Sequence, residues 1–136
     1  MYMQKIVSNG KVLAVVFSID EYFENTLVLT PPEWGLQTCL LKRPSGYSVN
    51  LHTHFRKREL GEACELLLVL KGRVRVCLYD GNRLVQCVEL CSGQGIIMRC
   101  PHATEILEDS KILEVKEGPY PGPDKDKVWI RLDIVT

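Results

Sequence analysis

The sequence predicts an all-β domain, an antiparallel sandwich or barrel. Three observations carry that prediction. β-Branched and aliphatic residues cluster in many short runs, turn-forming Gly, Pro, Asn, Asp and Ser separate the runs at close intervals, and only Ile19 to Asn25 reads as a helical turn. The chain has 136 residues, the length of one domain able to bury a core without staples, so we take 1–136 as a single unit.

The N-terminal strands occupy 1–30, with Lys11 to Phe17 after the Ser8-Asn9-Gly10 turn and Thr26 to Thr30 before Pro31-Pro32. The barrel core follows over about 36–117. Its expected strands are Leu36 to Lys42, Tyr47 to His54, Glu65 to Leu70, Arg73 to Tyr79, Arg83 to Leu90, Ile96 to Arg99, Ala103 to Leu107 and Lys111 to Lys116. Turns at Pro44-Ser45-Gly46, Asp80-Gly81-Asn82 and Ser92 to Gly95 punctuate them. The stretch 118–136 holds the Pro/Gly-rich GPYPGPDKDK, read as an ordered crossing loop, and a closing strand, Val128 to Val135.

Seventeen basic and seventeen acidic side chains cancel, which removes the electrostatic footprint of a nucleic-acid or acidic-membrane binder. The sequence shows neither a secretory pattern nor an apolar run of about 20 residues, so the expectation is a cytoplasmic protein whose partners are small molecules and copies of itself. Six cysteines form no C-x-x-C pair and are read mostly as small buried side chains. Cys77 and Cys87 are the exception that geometry leaves open. A three-residue loop centred on Asn82 sets them opposite each other, whereas a two-residue Gly81-Asn82 loop pairs Cys77 with Gln86. Free thiols are the expectation.

Two of the three histidines, His52 and His54, lie two residues apart on one expected strand and so share a face with Ser48 and Asn50, while Tyr47, Val49 and Leu51 take the other. Glu65 opens the next apolar strand, after the charged loop FRKRELGEAC, and His102 follows the strand Ile96 to Arg99. Imidazoles and a carboxylate converging from neighbouring strands are a donor set for a divalent transition metal.

These residues also carry a family resemblance. Gly46, His52, His54, Glu65 and Gly72 give G-x5-H-x-H…E-x6-G, which resembles the first cupin motif, and GQGIIMRCPH, with Gly93 and His102, resembles the second. The similarity covers roughly Leu36 to Lys116. The resemblance implies a double-stranded β-helix (jelly-roll-like) barrel, a metal held inside it by His52, His54, Glu65 and His102, and a homodimer. Two departures stand out. The usual short spacing after the second histidine selects Glu59, while the spacing to the closing glycine selects Glu65, which we prefer because a loop lengthens more easily than the strand behind it. Arg99-Cys100-Pro101 replaces the proline-x-glycine that normally precedes the second-motif histidine.

Three imidazoles and one carboxylate would leave a divalent ion (Fe, Mn, Ni or Zn) with a charge of about plus one and about two open positions, suited to a small oxygen-rich ligand. Asn50 or Arg99 is a candidate to orient that ligand, and Cys100 a candidate soft ligand or nucleophile. Cupin chemistry includes isomerases, oxygenases, decarboxylases and lyases, and the reaction stays unassigned. Two other readings remain open. One is a metal-free ketoisomerase or epimerase of nucleotide-linked sugars that uses the paired histidines, with Arg56, Lys57 and Arg58 holding a diphosphate; the other is a non-enzymatic small-ligand binder. Glu59 and Glu62 are read as solvated charges. Tyr120 is a candidate lid, and Trp129 a core or interface aromatic.

Overall fold

The structure, a computed structural model, describes residues 3–20, 22–54, 63–118 and 127–131. Ten strands make up the regular structure of these residues: β1 (Met3–Ser8), β2 (Lys11–Phe17), β3 (Thr26–Val28), β4 (Leu36–Arg43), β5 (Ser48–His54), β6 (Glu65–Asp80), β7 (Arg83–Cys91), β8 (Gly95–Met98), β9 (His102–Glu117) and β10 (Lys127–Trp129). The all-β prediction holds, and no helix long and apolar enough to cross a membrane occurs among the described residues. Among the described residues of the expected helical turn, 19–20 and 24–25 form bends and 22–23 are irregular. Phe23 is drawn there into a small core with Leu29 and Leu40, and such burial overrides a weak local preference.

An antiparallel pair of long strands is the spine. β6 and β9, 16 residues each, run side by side over most of their length. The outer edge of β6 is occupied in succession by β8 and β7, and the outer edge of β9 by β4 and β5, with β3 and β10 completing the order β10-β5-β9-β4-β3. Each long strand was expected as two. Gly72, at φ +96°, lets β6 bend without breaking, and the β6–β9 register slips around it. A Cβ there would collide with the Asp109 carbonyl oxygen and with Ser110.

Side chains alternate along the spine, so Leu67, Val69, Val74, Val76, Ile106 and Ile112 turn inward and pack with Leu90 and Met98 as the main core. On the outer side of β4, Leu40 packs with Phe23 and Leu29, which fastens the N-terminal segment to the sheet. The β1–β2 hairpin forms its own two-stranded sheet, and Ile6, Val7, Leu13, Val16 and Phe17 on it are exposed.

Cys77 and Cys87 form a disulfide across β6 and β7, against the expectation of free thiols. The turn has two central residues, since Asp80 pairs with Arg83 and Tyr79 with Leu84. An irregularity beside Leu78 and Tyr79 then skips Val85, moves the register by one, and sets Cys77 opposite Cys87 instead of Gln86. Of the other four cysteines, Cys91 is exposed, and Cys39, Cys64 and Cys100 are half-buried.

Gly72→Ala should lower unfolding stability by roughly 1–3 kcal/mol, because the new methyl meets backbone at a positive φ. Urea unfolding of the two proteins checks this; equal midpoints would mean that the bend does not depend on glycine.

Candidate metal centre

One end of the interior is polar. His52, His54, Glu65 and His102 lie within it, and each is at most 4% exposed. The long spine positions two of them, Glu65 at the first residue of β6 and His102 at the first residue of β9; the other two come from the end of β5. His52 pairs directly with His102 in the β5–β9 ladder.

That pairing depends on a bulge. Val49 pairs with Thr104, but His52 pairs with His102, so β5 carries one residue more than its partner between these points. Strict alternation from His54 back to Ser48 therefore fails. Val49 and Tyr47 line the interior with the histidines, whereas Ser48 and Asn50 are exposed. The expectation that Asn50 and Ser48 share the histidine face is corrected, as is the idea that the Asn50 side chain orients a ligand. Asn50 acts through its backbone, because its carbonyl accepts a hydrogen bond from His52 Nδ1 at 2.7 Å. Arg99 is exposed. Leu51, placed on an outward apolar face by the alternation, is buried.

His102 is held in the same way, its Nδ1 donating to the Cys100 carbonyl at 2.9 Å. A carbonyl can only accept, so both rings carry a proton on Nδ1 and turn Nε2 toward the centre of the cluster. Cys100 thus contributes its main chain, while its side chain packs against the apolar core. One nitrogen from each of His52, His54 and His102 falls within a group whose members are all within 4.8 Å of one another, a cluster that could hold a metal ion. Glu65 Oε2 sits 3.2 Å from His54 Nε2 and 3.3 Å from His102 Nε2. These separations are close to the roughly 3 Å between neighbouring donors around an ion with bonds of about 2.1 Å.

The electrostatics follow from burial. Desolvation pushes His52 down to about 4, the hydrogen bond to Asn50 offsetting only part of it, so this ring is neutral near pH 7. Burial also works against the charged forms of His102 and Glu65, but their close contact and mutual attraction prevail, raising the imidazole and lowering the carboxyl.

Other groups line the same cavity, of about 320 Å³, that the sequence reading did not single out. Cys39 on β4, Glu114 and Lys116 on β9, and Lys127 on β10 face it with the cluster. Their signal was parity, since His102, Thr104, Ile112, Glu114 and Lys116 stand at even spacing on one strand. Trp129 pairs with His52 across β10 and β5, its ring 5.3 Å away, yet it is 59% exposed. It therefore stands at the rim of the site and is not part of the core. Arg73 and Arg75 are on the outside, in surface ion pairs with Glu89, Glu105 and Glu108. Glu59, Glu62, Arg56, Lys57, Arg58 and Tyr120 lie outside the described residues.

The sequence matches no protein-family model and no curated protein. Solved structures do resemble it. A cupin superfamily protein from Desulfitobacterium hafniense is 20% identical with a TM-score of 0.55, over 71% of this chain and 82% of that one. KdgF from Halomonas sp. is 19% identical with a TM-score of 0.54, over 68% and 76%. Oxalate decarboxylase from Bacillus subtilis is 17% identical with a TM-score of 0.58, over 70% of this chain and only 24% of that much longer one. The chain therefore shares the fold of these structures, a cupin fold, which is the fold the two motifs implied.

In metal-free protein at neutral pH, His102 should titrate above His52, because only His102 faces a carboxylate. Glu65→Gln removes that charge, and burial alone should then move His102 below the usual 6.5 for histidine. Imidazole proton NMR across pH 4–8 reads both rings; an unchanged His102 in the variant would show that Glu65 does not set its charge.

Proposed function

We propose that this chain is a small cupin metalloprotein in which His52, His54, Glu65 and His102 hold a divalent transition metal and the cavity beside it takes a small oxygen-rich ligand. The observation that carries the reading is the donor set itself. Three imidazoles converge, two of them locked by backbone carbonyls with Nε2 inward, and a carboxylate oxygen lies within 3.3 Å of two. Iron, manganese, nickel and zinc all suit this mixture of nitrogen and oxygen donors, and the oxalate decarboxylase of Bacillus subtilis has Mn(II) centres.

Bound there, the metal would supply a Lewis acid with open positions for a ligand oxygen. The chain's own residues do the rest. The Asn50 and Cys100 carbonyls fix the tautomer and aim of two rings, burial keeps His52 neutral, and the indole of Trp129 covers the outer side of His52. Leu67, Ile106 and Ile112 form an apolar wall that restricts water around a bound ligand. At about 320 Å³ the cavity is at the small end of ligand sites, which favours a small organic molecule over a nucleotide-linked sugar.

A metal-free acid/base enzyme is the second reading. The contact between Glu65 and His102 favours it, since a carboxylate that orients an imidazole is also the start of a proton relay. Elemental analysis of purified, untagged protein beside a folded His52→Ala/His54→Ala variant separates the two. We expect near-stoichiometric metal in the parent and loss of at least nine-tenths in the variant, on the order of the 10–100-fold or larger weakening that follows damage to a ligand shell. No metal after reconstitution with iron, manganese, nickel and zinc would sink the ligand assignment and favour the metal-free enzyme or a simple binder.

The partner we propose, in a cytoplasmic setting, is a second copy of the chain. The β1–β2 hairpin stands apart from the main sheet with apolar side chains exposed, and a two-stranded hairpin is marginal without further packing. Sedimentation at micromolar concentration should give a dimer that Val16→Asp/Phe17→Asp dissociates; a monomeric parent would overturn this.

A further inference from the structure

A second recess, of about 510 Å³, shares only Arg43 with the lining of the histidine cavity. Four cations, Lys42, Arg43, Lys71 and Lys111, line it with two carboxylates, Glu24 and Asp109. Three of the cations form a row across the sheet, because Lys111 on β9 is the direct register partner of Lys42 on β4 and of Lys71 on β6. Like charges placed opposite one another work against strand pairing. The row also depends on an irregularity. Val69 pairs with Ile112, so regular pairing would set Leu70 opposite Lys111; the slip beside Gly72 skips Leu70 and puts Lys71 there instead.

The row is not neutralised from within. Glu24 accepts a hydrogen bond from the Tyr22 hydroxyl at 2.7 Å, Asp109 accepts one from the Ser45 N–H at 2.9 Å, and none of the three lysines forms an ion pair among the described residues. Lys42 and Lys111 hold neutral groups. Lys42 Nζ donates to the Phe23 carbonyl at 3.3 Å, Lys111 Nζ donates to the Ile19 carbonyl, and both lie over the Phe23 ring, 5.9 and 5.5 Å from its centroid. Each bond engages one of three ammonium N–H groups and leaves the charge uncancelled. Arg43 is occupied by the Asn25 and Lys42 carbonyls and the Thr26 hydroxyl. Lys71 is exposed and makes no side-chain hydrogen bond or ion pair among the described residues.

We propose that this recess is an anion site anchored by Lys71, with Lys42 and Lys111 beside it, and that it takes a phosphate dianion, free or carried on a small molecule. A dianion with several acceptor oxygens meets cations from three strands at once, whereas a monoanion offsets only one. The inference is independent of the metal reading and goes beyond it.

The test is calorimetric titration of the full chain with inorganic phosphate at fixed ionic strength, with sodium chloride as the blank. The parent should bind phosphate saturably. Lys71→Gln should weaken binding about tenfold, the scale of one hydrogen bond to a charged group, and Lys71→Arg should keep most of it. His52→Ala/His54→Ala should bind phosphate as the parent does. Absence of saturable binding by the folded parent, equal affinity in Lys71→Gln, or loss of binding in His52→Ala/His54→Ala, which would put the anion at the metal centre, would each overturn the inference. Co-sedimentation with phosphatidylcholine vesicles containing phosphatidic acid then reads the source. Pelleting lost in Lys71→Gln assigns the phosphate to a lipid headgroup, and no pelleting assigns it to a soluble molecule; either supports the site.

Discussion

The contact on which the site depends is that of the Glu65 carboxylate with two imidazoles in a place closed to water. An isolated carboxylate at 4% exposure would be very costly, and the close contact and attraction shared with His102, with His54 beside them, make the burial tolerable. The cost is spread over the backbone as well. Nδ1 of His52 and of His102 is bonded to a main-chain carbonyl two residues earlier, so each ring arrives with its orientation and proton assigned. Removing one partner from such a cluster leaves buried charge behind, which makes it a unit rather than a sum of pairs.

The remainder of the fold can be understood as the scaffold for that unit. β6 and β9 start at Glu65 and His102, and the same two strands continue into the aliphatic half of the interior. Polar and apolar ends are thus rigidly connected through one antiparallel ladder, bent at Gly72. A rigid strand pair holds donors more precisely than a loop would, and precision is what a metal site requires. The disulfide between Cys77 and Cys87 ties β7 to the far half of β6, distant in sequence from the Glu65 end.

Much was legible in the residues. Period-two patterning and turn chemistry gave the strands, including Lys11 to Phe17 with its exact bounds, and two motifs, one with His52, His54 and Glu65 and one with His102, pointed by their resemblance to the four side chains that meet. Other expectations failed for definable reasons. Alternation placed Asn50 beside the histidines, and a bulge in β5 moved it outside. Turn length alone left Cys77 between Gln86 and Cys87, and a second irregularity, skipping Val85, decided it. Two pairs of expected strands proved to be two long ones: in β6 the Gly72 that reads as a break permits a bend, and β9 runs on through Glu108-Asp109-Ser110.

By itself the sequence determined what depends on local periodicity and residue chemistry: an all-β chain, a neutral overall charge, and a histidine–carboxylate set with metal-ligand character. Only the tertiary structure decided which faces look inward, because one inserted residue inverts the parity of everything beyond it and leaves no mark in composition. It alone brought Glu114 and Lys116 to the cavity and Trp129 to its rim, through pairings between strands far apart in the chain. Contacts of that kind belong to the ladder as a whole, and no short stretch of residues encodes them.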